Sequence, residues 1–184
     1  MKLLHSAAVA FALSTVSASA STIIYADVVI DYYHSGAAGP ASGSFLPGYG
    51  YGGPPNAETV PLSYATDENS DTFVSLPTGS YITLGFSQGY IYDAPGQADL
   101  FVDEIGANRE TAELWLSTDW GDSFTHLTTL FGDRTNSIDF GDFGFTGKVN
   151  AIKVVGLDNF GGSPGFDLTG AWGLEGSWVE EPQG

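Results

Sequence analysis

The chain has no cysteine, one methionine, three histidines and only five Lys+Arg among its 184 residues. Each scarcity closes a class of chemistry. Without thiols there is no disulfide framework, no thiol nucleophile, no iron–sulfur cluster and no zinc–thiolate site. His5 falls in the N-terminal segment treated below, so His34 and His126 remain, too few for a three-histidine zinc centre. Five basic residues against 22 acidic give a formal net charge of −17, which opposes binding to nucleic acid and to anionic membrane surfaces. Past the N-terminus no apolar run reaches the length of a membrane span. The abundant types are 25 Gly, 9 Pro and the aromatics, with 4 Trp, 9 Tyr and 12 Phe. That composition excludes a helical bundle and, at this length, suits one domain with a real core.

At the start, Lys2 is followed by an apolar stretch from Leu3 to Val16 and by Ala18-Ser19-Ala20. A positive end, a short apolar run and an A-x-A site predict a signal peptide over residues 1–20, cleaved after Ala20. The expected product is secreted or held at the cell surface, with the periplasm as the other compartment the pattern allows. It would carry a sandwich domain over 21–178 and a short acidic tail over 179–184.

The mature part reads as short strands between turns. Residues 22–33, TIIYADVVIDYY, read as a strand pair or one long strand, with Val28, Ile30 and Tyr32 inward. Residues 35–61 hold seven Gly and five Pro and are expected to form a loop without a regular ladder. Strands are then expected at Tyr81–Phe86, Asp99–Ile105, Ala112–Ser117, Phe124–Phe131, Val149–Leu157 and Phe166–Leu174, with Trp115 and Trp172 in the core. They recur every 10 to 20 residues, no window holds a helical period, and no fixed repeat appears. The pattern is that of a single all-β domain, an antiparallel β-sandwich or barrel.

Several segments in order resemble bacterial secreted or cell-surface proteins of the PEP-CTERM-associated type, akin to galactose-binding-like jelly rolls. They are Phe73-Val-Ser-Leu76, Gly79–Phe86, Ala94–Glu104, Glu110–Ser117 with Asp119 and Gly121, and Gly165-Phe-Asp-Leu168. The resemblance implies a secreted sandwich of jelly-roll type and brings no catalytic residue. The end, Trp178-Val-Glu-Glu-Pro-Gln-Gly184, lacks the family's sorting segment. Locally, Ser117-Thr-Asp-Trp-Gly-Asp-Ser-Phe124 resembles the Asp-box of sialidases and other propellers, where the aspartate braces a hairpin turn and does no catalysis.

Calcium is the cofactor this composition permits, since it takes six to eight oxygens from carboxylates and loop carbonyls. The candidate metal ligands are Asp99 with Glu104, flanking one strand, and Asp158 with Asp167, flanking a Gly-rich loop. Residues 161–167 are similar to a calcium-binding G-G-x-G-x-D nonapeptide with one residue too many. Asp99 and Glu104 sit five apart, so they share an ion only across a bulge or strand end. For a glycan or extracellular-matrix partner the candidates are Trp120 at a polar turn tip, Tyr90 and Tyr92 in a loop, and Asp122 as hydrogen-bonder. Tyr49 and Tyr51 offer further exposed rings. No nucleophile elbow, phosphate loop, dinucleotide fingerprint or H-E-x-x-H occurs, and the chain is read as no enzyme. Two alternatives stay open: a structural surface or biofilm-matrix protein that assembles with calcium, and a small secreted hydrolase.

Overall fold

The computed structural model describes residues 22–37, 50–52, 58–106 and 109–176. The expected signal peptide, the tail at 179–184, Tyr49 and most of the Gly/Pro tract lie outside them. In chain order the strands are β1 (Ile23–Tyr25), β2 (Val28–Tyr33), β3 (Gly50–Gly52), β4 (Glu58–Val60), β5 (Val74–Leu76), β6 (Tyr81–Gly85) and β7 (Tyr90–Ile91). They continue with β8 (Leu100–Glu104), β9 (Thr111–Ser117), β10 (Thr125–Phe131), β11 (Arg134–Ile138), β12 (Ala151–Gly156) and β13 (Phe166–Gly176). Two single 3-10 turns, Leu62–Ala65 and Phe140–Phe143, are the helical elements among the described residues.

The strands pair antiparallel throughout the described residues. One sheet runs β10-β9-β12-β6-β2 and the other β11-β8-β13-β5-β3-β4, with β1 and β7 also on β13. Eight of these strands, β5, β6, β8, β9, β10, β11, β12 and β13, change sheet at each connection except the β9–β10 hairpin. That alternation is the double Greek key of a jelly roll. The expected all-β antiparallel sandwich is therefore the fold observed.

The core follows from period-two alternation. In β9 Ala112, Leu114 and Leu116 point between the sheets, and in β6 Ile82 and Leu84 do; Phe86 completes the row, and all six are buried. They meet Leu100, Val102, Phe166 and Leu168 of the facing sheet. Burial of one such side chain contributes about 1.5–3 kcal/mol.

Four local expectations are corrected. β1 and β2 are not paired with each other: β1 joins β13 and β2 joins β6, so the chain crosses between sheets at Ala26-Asp27. The register of β2 shifts between Val29 and Asp31, a bulge that flips the alternation. Val29 and Tyr32 pack on the core while Val28 and Ile30 are exposed. Inside the Gly/Pro tract, β3 and β4 do form a ladder of three residue pairs. Trp115 and Trp172 are half-buried on the outer faces of the two sheets, not in the core. Trp115 meets His126 edge-on, and Trp172 stacks on Phe101, 5.7 Å away with 11° between planes.

Candidate functional site

The Asp-box segment folds as the brace the motif describes. The Ser117 hydroxyl accepts from the N–H groups of Asp119 (3.2 Å) and Gly121 (2.8 Å), and Asp119 accepts from the Ser117 hydroxyl at 2.7 Å. Asp119 also accepts from the Ser123 N–H at 2.9 Å and hydroxyl at 2.5 Å. These bonds, the Ser123 hydroxyl foremost, hold its carboxyl down at about 2. Asn150, buried on β12's approach, accepts from the Trp120 N–H at 2.8 Å and donates to the Thr118 carbonyl at 3.0 Å. The turn is thereby tied to the sheet.

Trp120 is carried on this turn at φ 60°, in the left-handed region, and is 43% exposed. Gly85 lets the indole approach the sheet: a Cβ there would meet Ile30 Cδ1 at 2.9 Å and Trp120 Cζ3 at 3.2 Å. Alongside, the Lys153 ammonium lies over the rings of Phe124 (4.1 Å) and Tyr81 (4.6 Å), and Tyr81 stacks on Tyr33 at 5.7 Å. The outer face of the five-stranded sheet thus carries a run of aromatic rings around one cation. Asp122 is exposed in the same turn. Tyr90 and Tyr92 flank Ile91, which bridges Val149 next to Asn150, so they stand at the same end of the sandwich. Lys148 lies over the Tyr90 ring at 4.6 Å. Of the predicted ligand residues, Trp120 and Asp122 share a turn; Tyr90 and Tyr92 are on a neighbouring segment. Sequence reasoning missed Phe124, Tyr81 and Lys153, whose period-two placement on β6, β12 and the β10 approach was the available signal.

A second aromatic row crosses the other sheet, Tyr25, Trp172 and Phe101 on three adjacent strands. It borders a small cleft of about 180 Å³ with Asp103, Thr169 and Glu68.

The four predicted metal ligands part company. Asp99 and Glu104 stand at opposite ends of β8, about 16 Å apart along a strand rising about 3.3 Å per residue, and enter different acidic groups. Asp99 gathers with Asp93 and Asp139; Glu104 gathers with Glu110 and Asp167. In each group one oxygen per residue lies within 4.8 Å of the others. Asp99 is buried, and its two oxygens accept from Ala94 N–H (2.8 Å) and Phe140 N–H (2.7 Å). It ties two loops together; burial pushes its carboxyl up, against those two bonds. Asp158 belongs to neither group. It accepts from Thr111 N–H and hydroxyl, both at 2.7 Å, and from Phe160 N–H, and so pins the 158–165 loop.

Glu104, Glu110 and Asp167 are all buried. Glu104 Oε2 accepts from the Asp133 N–H, and Asp167 Oδ1 from the Ser75 hydroxyl. Burial pushes the Asp167 carboxyl up to about 8, with the Ser75 bond opposing and the Glu104 charge adding. Glu110 is not among the metal ligands the sequence predicts, because nothing local distinguishes it from other strand-flanking acids. Only the fold places it opposite residues 104 and 167.

No protein-family model matches the chain, and no curated protein matches it. Among solved structures, the chain is similar to one described as "CBM32 of AlyQ in complex with 4,5-unsaturated mannuronic acid". The identity is 16% and the TM-score 0.43, over 62% of this chain and 85% of that one.

Proposed function

We propose that this chain is an exported, non-catalytic binding module that recognises glycans, free or in an extracellular matrix, through the aromatic surface around Trp120. The observation that carries the reading is how Trp120 is presented. A non-glycine residue at positive φ costs about 1–2 kcal/mol, yet the turn holds an indole there and leaves the residue 43% exposed. Backbone strain of this kind is met where a side chain must be aimed. The backbone at this position would be served as well by glycine. An indole edge beside Phe124, Tyr81 and Ile30 offers apolar faces for sugar rings, and Asp122 offers a carboxylate for their hydroxyls.

Export rests on the N-terminal pattern, and kinship to bacterial surface proteins of the PEP-CTERM-associated type rests on the ordered motifs. A structural calcium ion belongs to the reading as a support of the fold, away from the sugar-facing residues.

Retention of the full chain on immobilised neutral and uronic-acid polysaccharides tests the reading. Trp120→Gly is the informative variant, because glycine is at ease at φ 60°. Loss of retention with a near-unchanged unfolding midpoint is expected. Retention that Trp120→Gly leaves intact would sink the assignment.

A further inference from the structure

We propose that the cavity beside the C-terminal end of β8 and the N-terminal end of β13 is a calcium site, with Glu104, Glu110 and Asp167 as anionic ligands and the Ser163 hydroxyl as a neutral one. The site deepens the cation part of the function proposed above and rests on it, but it is independent of the glycan part.

Three carboxylates that converge within 4.8 Å while shielded from water are costly together unless a cation or protons join them. The chain has arranged for them to converge. A Cβ at Gly106 would strike both Glu110 Oε2 and Glu104 Oε1, and a Cβ at Gly161 would strike Glu110 Oε1. These two glycines leave the room the carboxylate oxygens occupy, and Gly161 also takes φ 89°, where a side chain is strained.

The independent pointer to a ligand is Ser163. It is 1% exposed, it lines the same cavity as Glu110 and Asp167, and its Oγ has no hydrogen-bond partner among the described residues. A buried hydroxyl without a partner is a standing cost in a finished fold. A cation in the cavity gives its oxygen one. The cavity measures about 430 Å³, with Gly161, Gly162 and Asp133 at its exposed wall, so an ion could enter with some of its water.

The donor set chooses the metal. All candidate ligands are oxygens, and neither His nor Cys is in the group, which disfavours zinc and copper. Carboxylates, a hydroxyl and water on an irregular Gly-rich loop suit calcium, which accepts six to eight oxygens in adaptable geometry. Magnesium demands a near-ideal octahedron. The Asp93–Asp99–Asp139 group competes poorly, since only Asp99 is buried there and water already reaches the half-buried Asp93 and Asp139.

Calorimetric titration of the EDTA-stripped full chain with calcium chloride, paired with thermal unfolding, tests the site. One calcium per chain is expected, with magnesium at least about tenfold weaker. At a hundredfold excess over Kd the unfolding midpoint should rise by roughly 5–10 °C. Asp167→Asn and Ser163→Ala should each weaken calcium, Asp167→Asn by at least about tenfold, while Asp93→Asn leaves it unchanged. Should Asp167→Asn fold poorly, Gly161→Ala blocks the site from the loop side and must also weaken calcium. No saturable heat, or binding that Asp93→Asn abolishes and Asp167→Asn spares, overturns the proposal. Polysaccharide retention in EDTA separates this failure from failure of the glycan reading.

Discussion

Strand β9 runs between two aspartate environments that share a residue type and nothing else. Beyond its C-terminal end Asp119 stands in water, surrounded by the Ser117 and Ser123 donors, and is held at about 2. By its N-terminal end Asp167 is buried with Glu104 and Glu110, with Ser75 as its side-chain donor, and is pushed up to about 8. Donors outweigh the slight desolvation at the first; desolvation outweighs the single donor at the second. In so acidic a chain, then, the count of carboxylates says little. What separates a brace from a ligand is whether the donors around the carboxylate already satisfy it.

The largest test of that contrast is the pH dependence of the metal-free protein. Asp167 has a folded value of about 8 against an ordinary 3.8, so the folded chain keeps a proton that the unfolded chain releases. Its contribution is complete below about pH 4 and is lost as pH rises through about 8, at up to about 1.4 kcal/mol per pH unit. Asp167→Asn keeps an acceptor for the Ser75 hydroxyl and removes the titration. In EDTA the two proteins should match near pH 4 and diverge in favour of the variant as pH rises, levelling above pH 8. The difference in unfolding free energy between pH 4 and 9 measures it; a flat difference breaks the comparison.

The next test strikes the brace through Asn150. Its amide joins the Trp120 N–H and the Thr118 carbonyl from a buried position. Asn150→Ala leaves both groups without that partner and should cost about 2–4 kcal/mol, a fall of roughly 4–16 °C in midpoint. Glycan retention should weaken with it, because Trp120 loses the bond that fixes its backbone. Calcium affinity should not move, since Asn150 and Glu110 lie at opposite ends of the sandwich.

Much of this could be read from the sequence, and the failures have definite causes. Clean alternation in residues 81–86 and 112–117 marked two strands of the five-stranded sheet with their inward faces, because both are central and their ladders to β12 are unbulged. β2 misled because one extra residue at its bulge breaks the alternation, so Tyr32 faces inward as expected while Val28 and Ile30 do not. β11, Arg-Thr-Asn-Ser-Ile, escaped notice: an edge strand with one buried residue carries almost no apolar period. The Asp-box was legible because its motif hydrogen bonds are local. Of the acidic triad, two of the three residues, Glu104 and Asp167, were legible, though in separate pairs. Its third member, Glu110, and its serine, Ser163, come from distant segments that only the sheet topology brings together.

The smallest expected effect lies on the acid side of Asp119. Its folded value of about 2 sits below the ordinary 3.8, so what it contributes is present above about pH 4 and fades as pH falls through 2. Full exposure to solvent screens that contribution, so it should shrink further in molar salt. Asp119→Asn is the control: the amide can still accept from Ser123 but carries no charge. Wild type should unfold at a higher temperature than the variant at pH 6, and the gap should close steadily between pH 4 and pH 2. A gap that persists at pH 2 would mean that shape, not charge, makes Asp119 the brace. The contrast with Asp167 would then be one of packing alone.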